Sequence, residues 1–539
     1  MIKKQFDNLE KGVFFLSAGV VIIVTFLLFV YPDESRVIVS SMMSFLTNDL
    51  GFLYIITYIV VVVFLLWLSF GRYGKIVLGA QDEKPEYSDF SWMAMMFCTG
   101  IASALMIFSF IEPIYYLTDT PFNIEPMSPQ AYEYAHMYGQ FHWGPSAWLF
   151  YTPVTVAIAY KLFVRGGDSI RLGDVCSESR FVKPWLARVI DIFTVFAVLG
   201  GIGTSMGLAA PLVTQIASEV FGIPNSTGLM LGMYLLWFSI FATSVWRGLD
   251  RGIKVLSDIN IYMAIGFIIL IMLISGVGRV FDVELNSIGL YLNDFFHMSF
   301  NTDPYAKSGF PQAWTIFYWG WWLSYIPIMG LFTARISRGR TIRSTILGMV
   351  GYGSLGCVLS FASLGCYSLD LQMSGKLDLV TILAEQGKDA TVMAILSTLP
   401  MPKLMALVFG VICIIFLATT IDSSAYVLAS VTTAKLKGNE QPPRWNRLLW
   451  AIIFVTFAIA LTRIGGLETM QTAVVLTGLP MILVCGVTLF VMYDLLETDW
   501  GEQLNKKWNP NRNRHIKRRR RARGRKIEDI DESKSGKTG

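Results

Sequence analysis

Charge is scarce in this chain. Asp, Glu, Lys and Arg make up 15% of the 539 residues, against 54% hydrophobic and 14% aromatic. Soluble globular domains carry roughly 25% charge, so an ordinary water-bathed fold is excluded. Cysteine is also sparse. Cys98, Cys176, Cys357, Cys366, Cys413 and Cys485 fall mostly inside apolar runs and form no C-x-x-C pair, which argues against a disulfide scaffold or a zinc site. The histidines, His136, His142, His297 and His515, keep no metal or catalytic spacing. The one G-K-T, Gly536-Lys537-Thr538, ends the chain with no glycine five residues before it. It is no phosphate-binding loop, and ATP is not the expected energy source. Basic excess is confined to Lys506–Lys526, which holds 12 Lys and Arg and no acid in a chain of net charge +5. The remainder is net negative, and no nucleic-acid partner is expected.

Long apolar runs are what remains. A membrane-spanning helix needs roughly 20 mainly apolar residues, because an unpaired backbone group in hydrocarbon costs several kcal/mol. The runs are of helix length, which excludes a barrel. An all-α polytopic membrane protein follows, with about 12 spans near 12–31, 51–71, 90–112, 140–163, 189–212, 229–246, 257–278, 312–334, 344–368, 403–431, 448–464 and 471–495. The first run is too long for a signal-peptide core and lacks a small-residue cleavage site. Alternate loops hold Arg72/Lys75, Lys161 to Lys183, Arg247 to Lys254, Arg335 to Arg343 and Lys435 to Arg447, whereas Pro113–His136 and Val213–Thr227 hold no Lys or Arg. By the positive-inside rule both termini are cytoplasmic, in a cytoplasmic (inner) membrane.

Two spans depart from the usual pattern of a membrane helix. The third contains Gly100-Ile101-Ala102-Ser103-Ala104, and the eighth contains Gly320 and Pro327. They lie five spans apart, where the first helices of two five-helix inverted repeats would fall, and interrupted helices at matching positions point to a midplane binding site. The competing explanation is that small residues merely let helices pack closely.

In the eighth span, Trp314, Phe317, Tyr318, Trp321, Trp322, Tyr325 and Met329 follow a helical spacing and share one face. A quaternary ammonium has no N–H to donate. A site for it must offer aromatic faces, worth about 2 kcal/mol or more each when desolvated. An interfacial belt is the other use of Trp and Tyr, but these rings run through the middle of the span. No Asp or Glu lies between Trp314 and Phe332, which suits a zwitterion carrying its own carboxylate. Trp143, Trp148 and Tyr151 could close the cage from the fourth span; alone, that group is ordinary packing. In the tenth span Thr419, Thr420, Asp422, Ser423 and Ser424 gather oxygens suited to a hard cation, although Thr and Ser also bond back to the preceding helical turn. An enzyme would need a polar constellation at one depth, and a channel would more naturally have rings of charge or carbonyl loops.

These residues resemble the betaine/choline/carnitine transporter family. The resemblance rests on Trp314–Arg343, with its W-x-x-x-x-W-x-W-W core and A-R-I-S-R-G-R-T-I-R ending, and extends through Phe141–Pro145, Thr204–Leu208 and Thr302–Pro304. It implies a LeuT-type fold: an N-terminal segment with two extra helices (1–89), a first repeat (90–280), an extracytoplasmic connecting segment (281–311), a second repeat (312–496) and a basic tail (497–539). It further implies a homotrimer and alternating access around an aromatic box of Trp321, Trp322, Tyr325, Trp143, Trp148 and Tyr115, with Trp314 and Tyr318 as a shallower contact. A sodium site would involve Thr419 and Thr420 with Phe416, Ile101 and Cys98. Phe141–Pro145, Asp303–Gln312 and Tyr325…Met329 look most like the carnitine/γ-butyrobetaine exchanger branch, where a methionine matching Met329 replaces a cation. That branch, however, places an arginine where this chain has Asn260. Sodium-coupled betaine members have alternating glycines where this chain has Gly100, Ala102 and Ala104, and choline carriers tend to have an aspartate there. A carnitine- or betaine-like zwitterion is expected, with coupling open between sodium symport and sodium-independent exchange. Beyond Na+ no cofactor is implied. The tail is expected to meet anionic lipid at about 1 kcal/mol per basic residue; the resemblance also permits osmosensing through it.

Overall fold

The structure, a computed structural model, describes residues 9–247, 250–434, 436 and 440–508, without the side chains of 247, 250–254 and 505–508. Almost all of the basic run Lys506–Lys526, and with it the predicted lipid contact, lies outside the described residues, as do Lys435 and Lys437. Helices form and no strand does among the described residues. In chain order they are α1 (Lys11–Val30), α2 (Pro32–Ser44), α3 (Gly51–Phe70), α4 (Asp89–Gly100), α5 (Ser103–Tyr115), α6 (Pro129–Trp143), α7 (Pro145–Ala159), α8 (Pro184–Phe221) and α9 (Thr227–Arg247). They continue with α10 (Asp250–Ser275), α11 (Val277–Phe300), α12 (Ile316–Ile336), α13 (Ile342–Met373), α14 (Leu379–Ser397), α15 (Pro402–Val431), α16 (Arg444–Ile464) and α17 (Gly466–Trp508).

Among the described residues ten helical segments are long and apolar enough to cross a membrane, eleven with α4 and α5 taken as one bent span. The twelfth expected span is α12. It has 21 residues and is long enough, but its Trp and Tyr count little toward hydropathy although their rings bury well. Helices α2, α11 and α14 lie between the expected spans, and none is among the segments long and apolar enough to cross. In α11, Glu284 accepts a hydrogen bond from Gln140 of α6 (2.7 Å), and Ser287 meets His136 Nδ1 (2.7 Å), so the connecting segment is fastened to the bundle.

The expected break in the third span is present. Ile101 and Ala102 are extended (φ/ψ −92/121 and −141/166), and the two half-helices meet at a 59° bend. The small residues let the chain turn between neighbours. Facing the break, α13 supplies glycines: a Cβ on Gly356 would lie 2.8 Å from the Phe97 carbonyl oxygen, and one on Gly353 would lie 2.3 Å from the Trp148 ring. The expected break in the eighth span is absent. Helix α12 runs unbroken through Gly320 and Pro327, and Gly320 serves close packing instead. A Cβ on Gly320 would come within 2.8 Å of the Val475 Cα, and one on Gly478 within 2.5 Å of the Gly320 carbonyl oxygen. Two backbones touch there, which requires glycine on both helices. The fourth span does bend, at Gly144-Pro145, where Gly144 has ψ −126.

The basic loops converge at one end of the bundle. Leu78 N–H bonds to Arg340 O, Gly339 N–H to Leu78 O, and Glu10 N–H to Thr432 O. Arg338 pairs with Glu83 (2.6 Å); Arg340 pairs with Asp89 (2.9 Å) and lies over the Trp92 ring at 4.0 Å; Arg343 Nε donates to Ser69 O (2.7 Å). The arginine-rich stretch after α12 thus staples spans together. The Pro113–His136 loop, poor in Lys and Arg, packs on α11, where Phe122 stacks on His297 (4.1 Å) and Tyr134 bonds to Asp294. Replacing Gly478 by alanine should force α12 and α17 apart at a cost of about 1–3 kcal/mol. A lowered thermal midpoint and reduced monodisperse yield in detergent are expected, while Gly486→Ala, whose Cβ would meet no atom within 4 Å, should change neither.

Candidate functional site

The two extended residues of the third span leave the first N–H groups of α5 without intrahelical acceptors. At this end of α5, Thr99, Gly100, Ala102, Ser103 and Ala104 form one wall of a cavity of about 80 Å³. The other walls are Trp143, Ala147, Trp148 and Tyr151 of the fourth span, Ser205 of α8, Trp321, Trp322, Tyr325 and Met329 of α12, Cys357 of α13, and Leu417 and Thr420 of α15. No lining residue is charged.

The rings are arranged as an open box. Trp321 and Trp322 are nearly parallel, with centroids 5.5 Å apart at 8°. Trp143 stands edge-on to both, at 5.5 Å and 68° to Trp321 and at 4.9 Å and 69° to Trp322. Trp322 Nε1 donates to His142 O (2.8 Å), and the Tyr325 hydroxyl meets Ser205 Oγ at 2.6 Å. Trp321 Nε1 is buried and has no protein partner. Cys357 Sγ lies 3.6 Å from the Gly100 carbonyl oxygen, and this contact occupies a backbone acceptor that the break sets free.

Six of the nine predicted substrate residues therefore line one cavity: Trp143, Trp148, Trp321, Trp322, Tyr325 and Met329. Tyr115, Trp314 and Tyr318 do not. Tyr115, which the resemblance assigned to the box, packs on Trp314 instead (5.1 Å). Trp314 also meets Tyr116 at 5.0 Å, and Tyr116 meets Phe310 at 5.1 Å, so these rings plug the bundle toward the α6–α11 end. Tyr318 stacks on the back of the box, 5.6 Å from Trp322, and its hydroxyl donates to Glu112 Oε2 (2.5 Å). Tyr151, named with Trp143 and Trp148 as able to close the cage, lines the cavity, as do Ser205, from the Thr204–Leu208 motif, and Thr99.

The predicted cation residues are less concentrated. Thr420 lines the cavity, and both Thr419 and Thr420 donate to Phe416 O at 2.8 Å. Each hydroxyl bonds back to the preceding turn while keeping lone pairs free to accept. Cys98 and Ile101 sit at the break itself, where Ile101 N–H bonds back to Cys98 O (3.3 Å). Asp422 is removed from this group. It accepts from Arg447 Nη2 of α16 at 2.7 Å, so its cost in the apolar run is offset by a cation on the next helix. Asn260 Nδ2 donates to Ile412 O (3.2 Å), one turn before Phe416 on α15. Removing one partner of a desolvated pair strands the other charge. Arg447→Leu alone should therefore lower the thermal midpoint more than the double variant Arg447→Leu/Asp422→Leu, measured in the same detergent.

A family model described as BCCT, betaine/carnitine/choline family transporter, matches residues 12–501 and so takes in every span from α1 to α17. Proteins of that family are transporters of small quaternary ammonium compounds and not enzymes. The aromatic cavity and the matched length agree: this chain is a multi-pass membrane protein belonging to the betaine/carnitine/choline family of transporters.

Proposed function

We propose that the protein is a cation-coupled secondary transporter of a trimethylammonium zwitterion, carnitine, γ-butyrobetaine or glycine betaine, working by alternating access. The observation that carries this reading is a cavity walled by four indoles and two phenols, lined by no charged side chain, and opening on the broken third span. The rings suit the methylated cation. The unbonded N–H groups at the start of α5, at the positive end of its dipole, and the unpartnered Trp321 Nε1–H suit the zwitterion's carboxylate. A choline-like cation would leave those donors unused.

Residues 90–280 and 312–496 serve as the two five-span units of a LeuT-type fold. In support, the first contributes the broken helix, Trp143 to Tyr151 and Ser205 to the cavity, and the second contributes Trp321 to Met329, Cys357, Leu417 and Thr420. The packing of Tyr115 and Tyr116 on Trp314 supports a closed side, as alternating access requires of one state. Thr420, exposed to the cavity beside Thr419, supports sodium as the coupling ion. Met329 in the cavity wall supports the second reading, sodium-independent exchange. The gathering of the basic loops at one end supports an inner-membrane orientation with both termini cytoplasmic. The homotrimer and the lipid-bound tail stay part of the proposal on family resemblance.

Uptake of labelled L-carnitine and glycine betaine into proteoliposomes tests this, with and without an inward sodium gradient. Sodium-driven accumulation should fall at least about tenfold in Trp321→Ala, by loss of one desolvated cation–π contact, and should lose its sodium dependence in Thr420→Val. Exchange seen only in preloaded vesicles, unaffected by sodium, would replace symport by the second reading. No transport of either solute would reject the zwitterion assignment.

A further inference from the structure

Glu112 on α5 has no exposed surface and pairs with no Lys or Arg among the described residues. It is held by hydrogen bonds, with His142 Nδ1 lying 3.5 Å from its Oε1. Oε1 accepts from the Tyr116 hydroxyl (2.5 Å), and Oε2 accepts from the Tyr318 hydroxyl (2.5 Å) and from Trp143 Nε1–H (2.7 Å). Tyr116 has one hydroxyl proton and Glu112 receives it. With that proton donated to Glu112, His142 in its Nδ1–H tautomer donates the 2.8 Å contact to the Tyr116 oxygen, and its Nε2 accepts from the Thr315 hydroxyl at 3.1 Å. Trp143 Nε1–H can only donate, and with both phenols donating beside it the arrangement is one that a carboxylate accepts.

That charge is placed directly behind the box. Trp143 lines the cavity, and Tyr318 stacks on Trp322. An indole N–H or phenol O–H donating to a carboxylate is polarised so that electron density shifts onto the ring, and Coulomb attraction in a water-poor interior reaches past one ring. We propose that Glu112 supplies, through Trp143 and Tyr318, the negative potential by which the cage distinguishes a quaternary ammonium from an uncharged group of the same shape. It is a positioning residue that never touches the ligand. The inference rests on the cage reading above and deepens it, because the box lacks a lining carboxylate yet has one a single ring away.

The test measures binding to the purified full-length protein by quenching of its tryptophan fluorescence. The ligands are glycine betaine, L-carnitine, and the analogue of each in which carbon replaces the ammonium nitrogen. Glu112→Gln should weaken binding of the trimethylammonium ligands about tenfold and leave the carbon analogues within about twofold. Tyr318→Phe keeps the ring and the charge but breaks one link between them, and should weaken the cations about threefold with the analogues unchanged. Equal weakening of cation and analogue, the mark of a merely structural role, overturns the proposal, as does no change in either. If Glu112→Gln does not fold, Tyr318→Phe decides by the same criterion. A native protein that binds neither trimethylammonium ligand overturns the cage reading itself, an outcome separate from the failure of Glu112 alone.

Discussion

A helix that stops halfway across a membrane leaves backbone N–H and C=O groups where no water can meet them, and most of the central architecture follows from that. The two extended residues Ile101 and Ala102 free a carbonyl at Gly100 and N–H groups at the start of α5. Cys357 meets the Gly100 carbonyl. The remaining donors open on a cavity, consistent with the rule that irregular backbone is tolerated at membrane depth only where it is buried in protein or lines a space. The glycines of α13 exist on the same account. Gly353 admits Trp148 and Gly356 admits the Phe97 carbonyl, so the helix facing the break can come close enough to enclose it.

The opposite wall is built by the opposite means. Helix α12 is continuous and densely aromatic, and its rigidity matters as much as its rings, because parallel indoles at Trp321 and Trp322 hold their spacing only if the backbone beneath does not bend. Contact with α17 at Gly320 and Gly478 supplies that support. A flexible, small-residue wall thus faces a rigid, aromatic one. The charged groups nearby are handled by pairing: Asp422 with Arg447, and Glu112 with hydroxyl and indole donors. Neither lines the cavity, and its surface stays uncharged.

Several parts of this were legible in the sequence. The helical spacing of Trp314 to Met329 gave the aromatic face, and the run Gly100 to Ala104 gave the break, because both depend on residues close along the chain. Of the two readings open for the eighth span, close packing is the one the structure shows, for a related reason. Glycine signals either a break or a close approach, and which one depends on what lies opposite, namely Val475 and Gly478, about 155 residues later. The tenth-span run could not show what Asp422 pairs with, because its partner Arg447 lies 25 residues on, in another helix.

The sequence by itself determined that the chain is an all-helical membrane protein, which residues share the face of each helix, and to which family it belongs, since local periodicity, composition and motif spacing carry that information. The tertiary structure decided which faces meet. It drew Trp143, Ser205, Trp321 and Cys357 into one cavity, moved Tyr115 and Trp314 out of it, and set Glu112 behind it. The hydrogen bonds of 2.7 and 2.5 Å that join α5 to α6 and α12 depend on the packing of spans far apart in the chain. Packing between distant helices fixes those positions, and no pattern within a single helix encodes it.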